Sequence, residues 1–181
     1  MSRYDDELWE LVPEDPGPPP EQLRDFVRSL GPVGRALDVG CGDGRLTAEL
    51  EAAEMTCADV SEVALERARR RLPDARFVQL EPDAPLPFAD GDFELVLIAE
   101  TLEHVRDVQL LLSEARRVLR PGGTLALTTP ATGPLMRAPD PLSPHLRFFT
   151  RQSLSQLLDE LGFDVRSLER RAGSLLARAT R

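Results

Sequence analysis

Ten residues, Arg35-Ala36-Leu37-Asp38-Val39-Gly40-Cys41-Gly42-Asp43-Gly44, constrain the fold more than any other stretch of this chain. A short apolar run leads straight into glycines at alternate positions, where missing β-carbons permit positive φ and close approach of a ligand to the backbone. A helix is expected over residues 45–53, with Leu46 and Leu50 inward. Its first turn would direct free N–H groups back at the glycines. Such a turn lies at the carboxyl end of a strand and receives something flat and polar.

The rest of the chain repeats that strand-to-helix change of period. Strands are expected at 35–39, 55–59, 76–80, 94–99 and 124–129, with two more at 163–168 and 175–179. Between them, Ser61 is placed to cap a helix that stops before Pro73, and Val108, Leu111, Leu112, Ala115, Val118 and Leu119 form one stripe of a helix over 105–119. Thr150 caps a last helix carrying Leu154, Leu157, Leu158 and Leu161, with Gly162 beyond its end. Alternation of this kind predicts an α/β, doubly wound, mostly parallel sheet covered on both faces. Ligands of such sheets bind beyond the strand ends, beside the first strand. Ahead of this unit, residues 1–34 read as a separate segment: a short amphipathic helix with Leu8 and Trp9, a proline-rich linker over 13–20, and a helix over 21–30. Residues 35–181 form the ligand-binding domain.

Composition removes several classes of function. With 181 residues, 41% apolar and 29% charged, the chain reads as one ordinary globular domain. A net charge of −9 argues against a dedicated nucleic-acid binder, which needs cations to displace phosphate counterions. No apolar run has the length of a membrane span, and the first residues lack the apolar centre of a signal peptide, so a cytoplasmic location is expected. All 22 basic residues are arginine. The absence of lysine excludes Schiff-base chemistry and a P-loop. Cys41 and Cys57 lack a metal-type spacing and read as reduced, non-catalytic thiols.

A dinucleotide site would carry a third glycine or alanine where this turn has Arg45, and Asp43 brings negative charge to the place of a pyrophosphate. Asp59, 19 residues after Gly40, ends the second strand. A carboxylate there accepts hydrogen bonds from vicinal ribose hydroxyls, which points to a nucleoside.

Five pieces in fixed order narrow the ligand further: Leu37–Gly44, Asp59, Leu86-Pro87-Phe88-Ala89-Asp90-Gly91-Asp92-Phe93-Glu94-Leu95-Val96, Glu103-His104-Val105, and Arg117-Val118-Leu119-Arg120-Pro121-Gly122-Gly123. With them the chain resembles the class I S-adenosylmethionine-dependent methyltransferases, in the branch of ubiquinone- and menaquinone-pathway and other small-molecule enzymes. The resemblance implies a Rossmann-like seven-stranded sheet with an antiparallel C-terminal strand. It implies S-adenosyl-L-methionine as cofactor and S-adenosyl-L-homocysteine as product. By the same resemblance, Asp38 orients the turn, and the backbones of Gly40, Cys41 and Gly42 approach the homocysteine moiety. Asp59 holds the ribose and Val60 packs on the adenine. In the loop Glu81-Pro82-Asp83-Ala84-Pro85, Asp83 or Glu81 takes the adenine amino group, with Asp83 preferred and Ala84 beside it. Ala99 and Glu100 line the methionine side.

His104 is placed to act as the base, because it follows the fourth strand at the end of the sheet where an acceptor must lie. Glu100-Thr101-Leu102-Glu103-His104 also resembles the divalent-metal ligands of some related O-methyltransferases, with His145 able to join from a facing loop; no metal is assigned on this pattern. Residues 130–149 read as an acceptor-facing lid, with Met136, Leu142, Phe148 and Phe149 as apolar surface and Arg137, Arg147 and Arg151 as anion partners. Tyr4 and Trp9 form either a second lid or an anchor. The expected function is methyl transfer to an O, N or C atom of a small organic acceptor, without nucleic-acid or membrane partners. The alternatives are a non-catalytic cofactor-binding module and a nucleotide-dependent oxidoreductase.

Overall fold

The computed structural model describes residues 3–132 and 145–181. Its centre is a seven-stranded sheet: β1 (Val33–Val39), β2 (Ala52–Asp59), β3 (Arg76–Gln79), β4 (Phe93–Ala99), β5 (Leu119–Pro130), β6 (Asp164–Arg171) and β7 (Ser174–Thr180). The strands lie in the order β3-β2-β1-β4-β5-β7-β6. β7, between β5 and β6, is the one strand of this sheet that runs opposite to the other six. The chain moves from β1 outward to β3 and then returns to the far side of β1 as β4, so the order reverses between β1 and β4. A crevice opens at that point, above the carboxyl ends of the strands.

Strands buried on both faces need apolar residues at successive positions. In β4, Val96 and Ile98 face one cluster while Leu95 and Leu97 face the other. The first cluster is closed by α4 (Val108–Val118) and α5 (Arg151–Glu160), through Leu112, Ala115, Leu154 and Leu158. On the opposite face, α2 (Glu21–Arg28) contributes Leu23, Phe26 and Val27 to the same cluster as Ala36, Leu95 and Leu97. The proline-flanked helix of the first 34 residues is thereby part of the sheet's cover. Helix α3 (Glu62–Arg71) packs Leu65 on Cys41 and Cys57.

The caps follow the expected chemistry. Ser61 accepts from Ala64 N at the start of α3, and Thr150 and Ser153 form a capping box on α5. Helix α4 starts three residues later than periodicity suggests, because Asp107 accepts from Leu110 N and sets the N-cap.

The helix expected over residues 45–53 is replaced by a single 3-10 turn, Thr47–Glu49. Sheet pairing overrides the helical spacing. Val33 N donates to Glu51 O, and Val33 pairs with Ala52, so the chain must already be extended where the helix would continue. One turn still suffices to place Leu46 and Leu50 against α2.

The recurrent motifs of the second half act as a clip. Arg117 donates to Leu86 O, Phe88 O and Asp90, and pairs with Glu114, whose carboxyl it holds below the ordinary range. Leu86 and Phe88 are thus pinned in the core cluster that α4 helps to close, where both are buried. Among the described residues, no helix is long and apolar enough to cross a membrane.

Leu97 is fully buried between the central strands and the α2 cover. Leu97→Ala is expected to lower unfolding free energy by about 2–5 kcal/mol. Urea melts check this as a lower midpoint with an unchanged slope.

Candidate functional site

The glycine turn is fastened to the end of β2. Gly40 N and Cys41 N both donate to Ala58 O, at 2.7 and 3.2 Å, and Gly42 N donates to Asp59 Oδ2 at 2.8 Å. These amides are therefore engaged within the protein. No helix of useful length follows to supply others, and Asp43 lies buried in the turn, paired with Arg45 and Arg71. A pyrophosphate has nothing to bind here. This is a firmer reason against a dinucleotide than the missing third glycine.

Above the turn lies a cavity of about 690 Å³. Gly40, Gly42, Asp59, Val60, Asp83, Ala84, Glu100 and His104, all expected from the sequence, line it. Asp38, Cys41 and Ala99 do not. Asp38 sits beneath the turn and accepts from Thr47 Oγ1 at 2.5 Å. Burial pushes its carboxyl up to about 7, opposed by the Thr47 bond and assisted by the charge of Asp59. The Cys41 thiol points away, into the cluster with Cys57 and Leu65. Its hydrogen bond with Cys57, and then burial, hold its pKa well above the ordinary range. The carbonyl of Ala99 accepts from Thr101 Oγ1 at 3.0 Å.

Asp59 accepts from Gly42 N with one oxygen and from Ser61 N, at 2.9 Å, with the other. Each oxygen retains a lone pair for a further donor. Burial raises the carboxyl to about 6 against those bonds, so it is ionised at neutral pH. Glu100 has φ +50, a left-handed conformation unfavourable for a residue with a β-carbon. Its Oε1 is buried without a hydrogen-bond partner, and burial raises its pKa. Asp83 is likewise at positive φ, +53. One of its oxygens accepts from Asp107 N at 3.3 Å, joining the loop after β3 to the start of α4.

His104 reaches the cavity with about a third of its side chain exposed. Its Nε2 lies 3.9 Å from Oε1 of buried Glu103, and its ring stacks edge-on against His145 at 4.9 Å. Burial and then the charge of Glu100 raise Glu103 to about 8, while Thr129 Oγ1 donates to it at 3.0 Å. Glu103, His104 and His145 each bring a ligand atom within 4.8 Å of the others. Glu100 is not part of that group. Glu103 is neutral at pH 7, so a cation there would have to displace its proton.

Sequence reasoning gave the N-terminal helix no definite place. Helix α1 (Arg3–Leu11) crosses the glycine turn, and Tyr4, Asp5, Leu8 and Trp9 complete one wall of the cavity. A β-carbon on Gly42 would stand 2.7 Å from the Trp9 ring. Asp6 accepts from Ser61 Oγ at 2.7 Å, Arg67 donates to Val12 O and stacks over Trp9, and Arg45 donates to Gly17 O. Arg106, Asp107, Leu110 and Leu146 also line the cavity, and the motifs did not reveal them. Of the expected lid, Met136, Arg137 and Leu142 lie outside the described residues. Arg147 donates to Arg106 O at 2.8 Å, and Phe149 is buried in the core.

Two outcomes follow from this geometry. Gly42 has φ +55 and faces Trp9, so Gly42→Ala is expected to unseat α1. Trp9 is the sole tryptophan, and a red shift of its fluorescence reports the change. Asp38 has a folded pKa of about 7 against an ordinary 3.8, so its stabilising protonation is complete below about 4 and lost as pH rises to about 7. Asp38→Asn removes that slope. Across this interval the wild-type melting temperature should fall relative to the variant's.

Comparison with known proteins agrees with this geometry. Residues 37–127 match a family model described as a methyltransferase domain. An uncharacterized methyltransferase of Synechocystis is 33% identical over 150 residues, covering 76% of this chain and 70% of that protein. A demethylmenaquinone methyltransferase of Clavibacter sepedonicus is 40% identical over 141 residues, covering 75% of this chain. The match spans about half of that relative, 52% of its length. Among solved structures, a SAM-dependent methyltransferase of Aquifex aeolicus shares the fold, with a TM-score of 0.72 at 18% identity over 90% of this chain and 93% of that one. The chain belongs to the class I S-adenosylmethionine-dependent methyltransferases, in the family that this methyltransferase-domain model describes.

Proposed function

We propose that this chain transfers a methyl group from S-adenosylmethionine to an O, N or C atom of a small organic acceptor held in the same cavity. The observation that carries this reading is convergence: one cavity of about 690 Å³ draws together Gly42, Asp59, Glu100 and His104 from the carboxyl ends of three strands, β1, β2 and β4. That volume is in the range of small-molecule sites. The Clavibacter relative is named for a small-molecule acceptor, which supports the same class here.

The residues fit the cofactor's groups. Asp59 is ionised, and its remaining lone pairs suit two ribose hydroxyls. Val60 and Leu80 offer apolar contact for the base, with Ala84 beside it and Asp83 or Glu81 as acceptor for the amino group. The buried, unpartnered oxygen of Glu100 is matched to an ammonium at the methionine end. Asp38 and Cys41 serve from beneath, by holding the turn. Bound there, S-adenosylmethionine supplies a methyl group on a positively charged sulfur. His104 takes the proton that an O–H or N–H acceptor loses as the new bond to carbon forms. Helix α1 acts as a lid, and its apolar wall of Leu8 and Trp9 keeps water from the transfer.

Titration followed by Trp9 fluorescence, joined to methyl-labelled S-adenosylmethionine incubated with a metabolite extract, tests the reading. Asp59→Asn should weaken cofactor binding ~10-fold or more, the loss of hydrogen bonds to a charged acceptor. Wild-type affinity should fall as pH drops below about 6, where Asp59 protonates, and the variant should lack that dependence. His104→Gln should bind normally and turn over ~100-fold more slowly. Unchanged turnover removes His104 as base, and binding without labelled product from any extract identifies a cofactor-binding module.

A further inference from the structure

The cofactor's groups are matched by carboxylates, which leaves Arg106, the one arginine lining the cavity among the described residues, without a task. Arg106 lines the wall between His104 and α4, and its side chain is exposed. Two acids that line the cavity with it make hydrogen bonds to backbone amides. Asp107 caps α4 through Leu110 N at 2.9 Å, and Asp83 accepts from Asp107 N. Arg106 makes no ion pair with any described residue.

Its position is nonetheless held on both sides. Arg147 donates to Arg106 O at 2.8 Å, and the Asp83–Asp107 bond fixes the next residue. The same wall carries apolar surface from Val105, Leu110, Leu111 and Leu146, the last about half exposed, beside His104 and Asp107. A planar guanidinium presented beside this apolar surface, within two residues of the proposed base, is suited to a planar oxyanion.

We propose that Arg106 receives a carboxylate of the acceptor, so that the substrate class is a largely apolar molecule carrying one carboxylate away from the methylated atom. This rests on the methyl-transfer reading above. A monoanion is favoured over a phosphate monoester because Asp83, Asp107 and Asp5 also face the cavity, and their field opposes a second negative charge. The apolar body packs on Leu110, Leu111 and Leu146, while the carboxylate pairs with Arg106 and the reacting atom lies toward His104.

The test uses the full chain, methyl-labelled S-adenosylmethionine, and a metabolite extract split by anion exchange at neutral pH into retained and unretained fractions. Label should appear in products of the retained fraction, and should survive prior treatment of that fraction with phosphatase. Arg106→Gln should raise the KM for the acceptor identified from the labelled product ~10-fold or more, with little change in kcat. Arg106→Lys should recover part of the loss, and Trp9 titration with S-adenosylmethionine should be unchanged in both variants. Label confined to the unretained fraction, label abolished by phosphatase, or an unaltered KM in Arg106→Gln overturns the assignment while leaving methyl transfer intact. Cofactor binding without label from either fraction overturns both.

Discussion

The attachment of the glycine turn to the end of β2 is the interaction on which the site depends. Three successive amides, of Gly40, Cys41 and Gly42, donate to Ala58 O and Asp59. The parallel pairing of β1 with β2 brings these acceptors level with the turn. Positive φ at Gly40 and Gly42 is what aims the amides at β2. The consequence is chemical as well as structural. A turn whose N–H groups are satisfied internally does not attract an anion, and the ligand's polar contacts must come from carboxylates. A ribose and an ammonium fit that surface; a pyrophosphate does not.

Charge is distributed to match. Asp38 and Asp59 are buried one behind the other, and each pushes against ionisation of its neighbourhood. Glu100 and Glu103 repeat the arrangement at the end of β4. Hydrogen bonds from Thr47, Ser61 and Thr129 hold Asp38, Asp59 and Glu103, whereas Oε1 of Glu100 is buried without a partner. The cavity that results is lined by Asp59 and Glu100 at the strand ends, and among the described residues its one guanidinium, of Arg106, stands near the start of α4.

The walls come from the segments that least resemble regular α/β units. Helix α1 covers the turn through contacts with α3, and the loop after β3 meets the start of α4 through Asp83 and Asp107. The Arg117 clip holds the loop over 86–90 so that the crossover into β4 needs no helix of its own. The floor of the cavity therefore comes from the sheet, while its walls come from what is draped over it.

Much of this was written in the sequence. Alternation of apolar residues in β4, the caps at Ser61 and Thr150, the glycine spacing and Asp59 are local signals, because each depends on residues within a few positions of one another. They were enough to determine a doubly wound sheet and to point to the strand ends beside β1, where the cavity lies. Tertiary structure decided the rest. It shortened the expected helix after Gly44 to Thr47–Glu49, since pairing of Val33 with Ala52 competes for the same residues. It laid Trp9 on Gly42, turned Asp83 toward Asp107, and set Arg106 in the cavity wall. These placements join residues far apart in the chain, and no period or spacing encodes such a contact. Side chains find those partners only when the sheet has brought their loops to one edge.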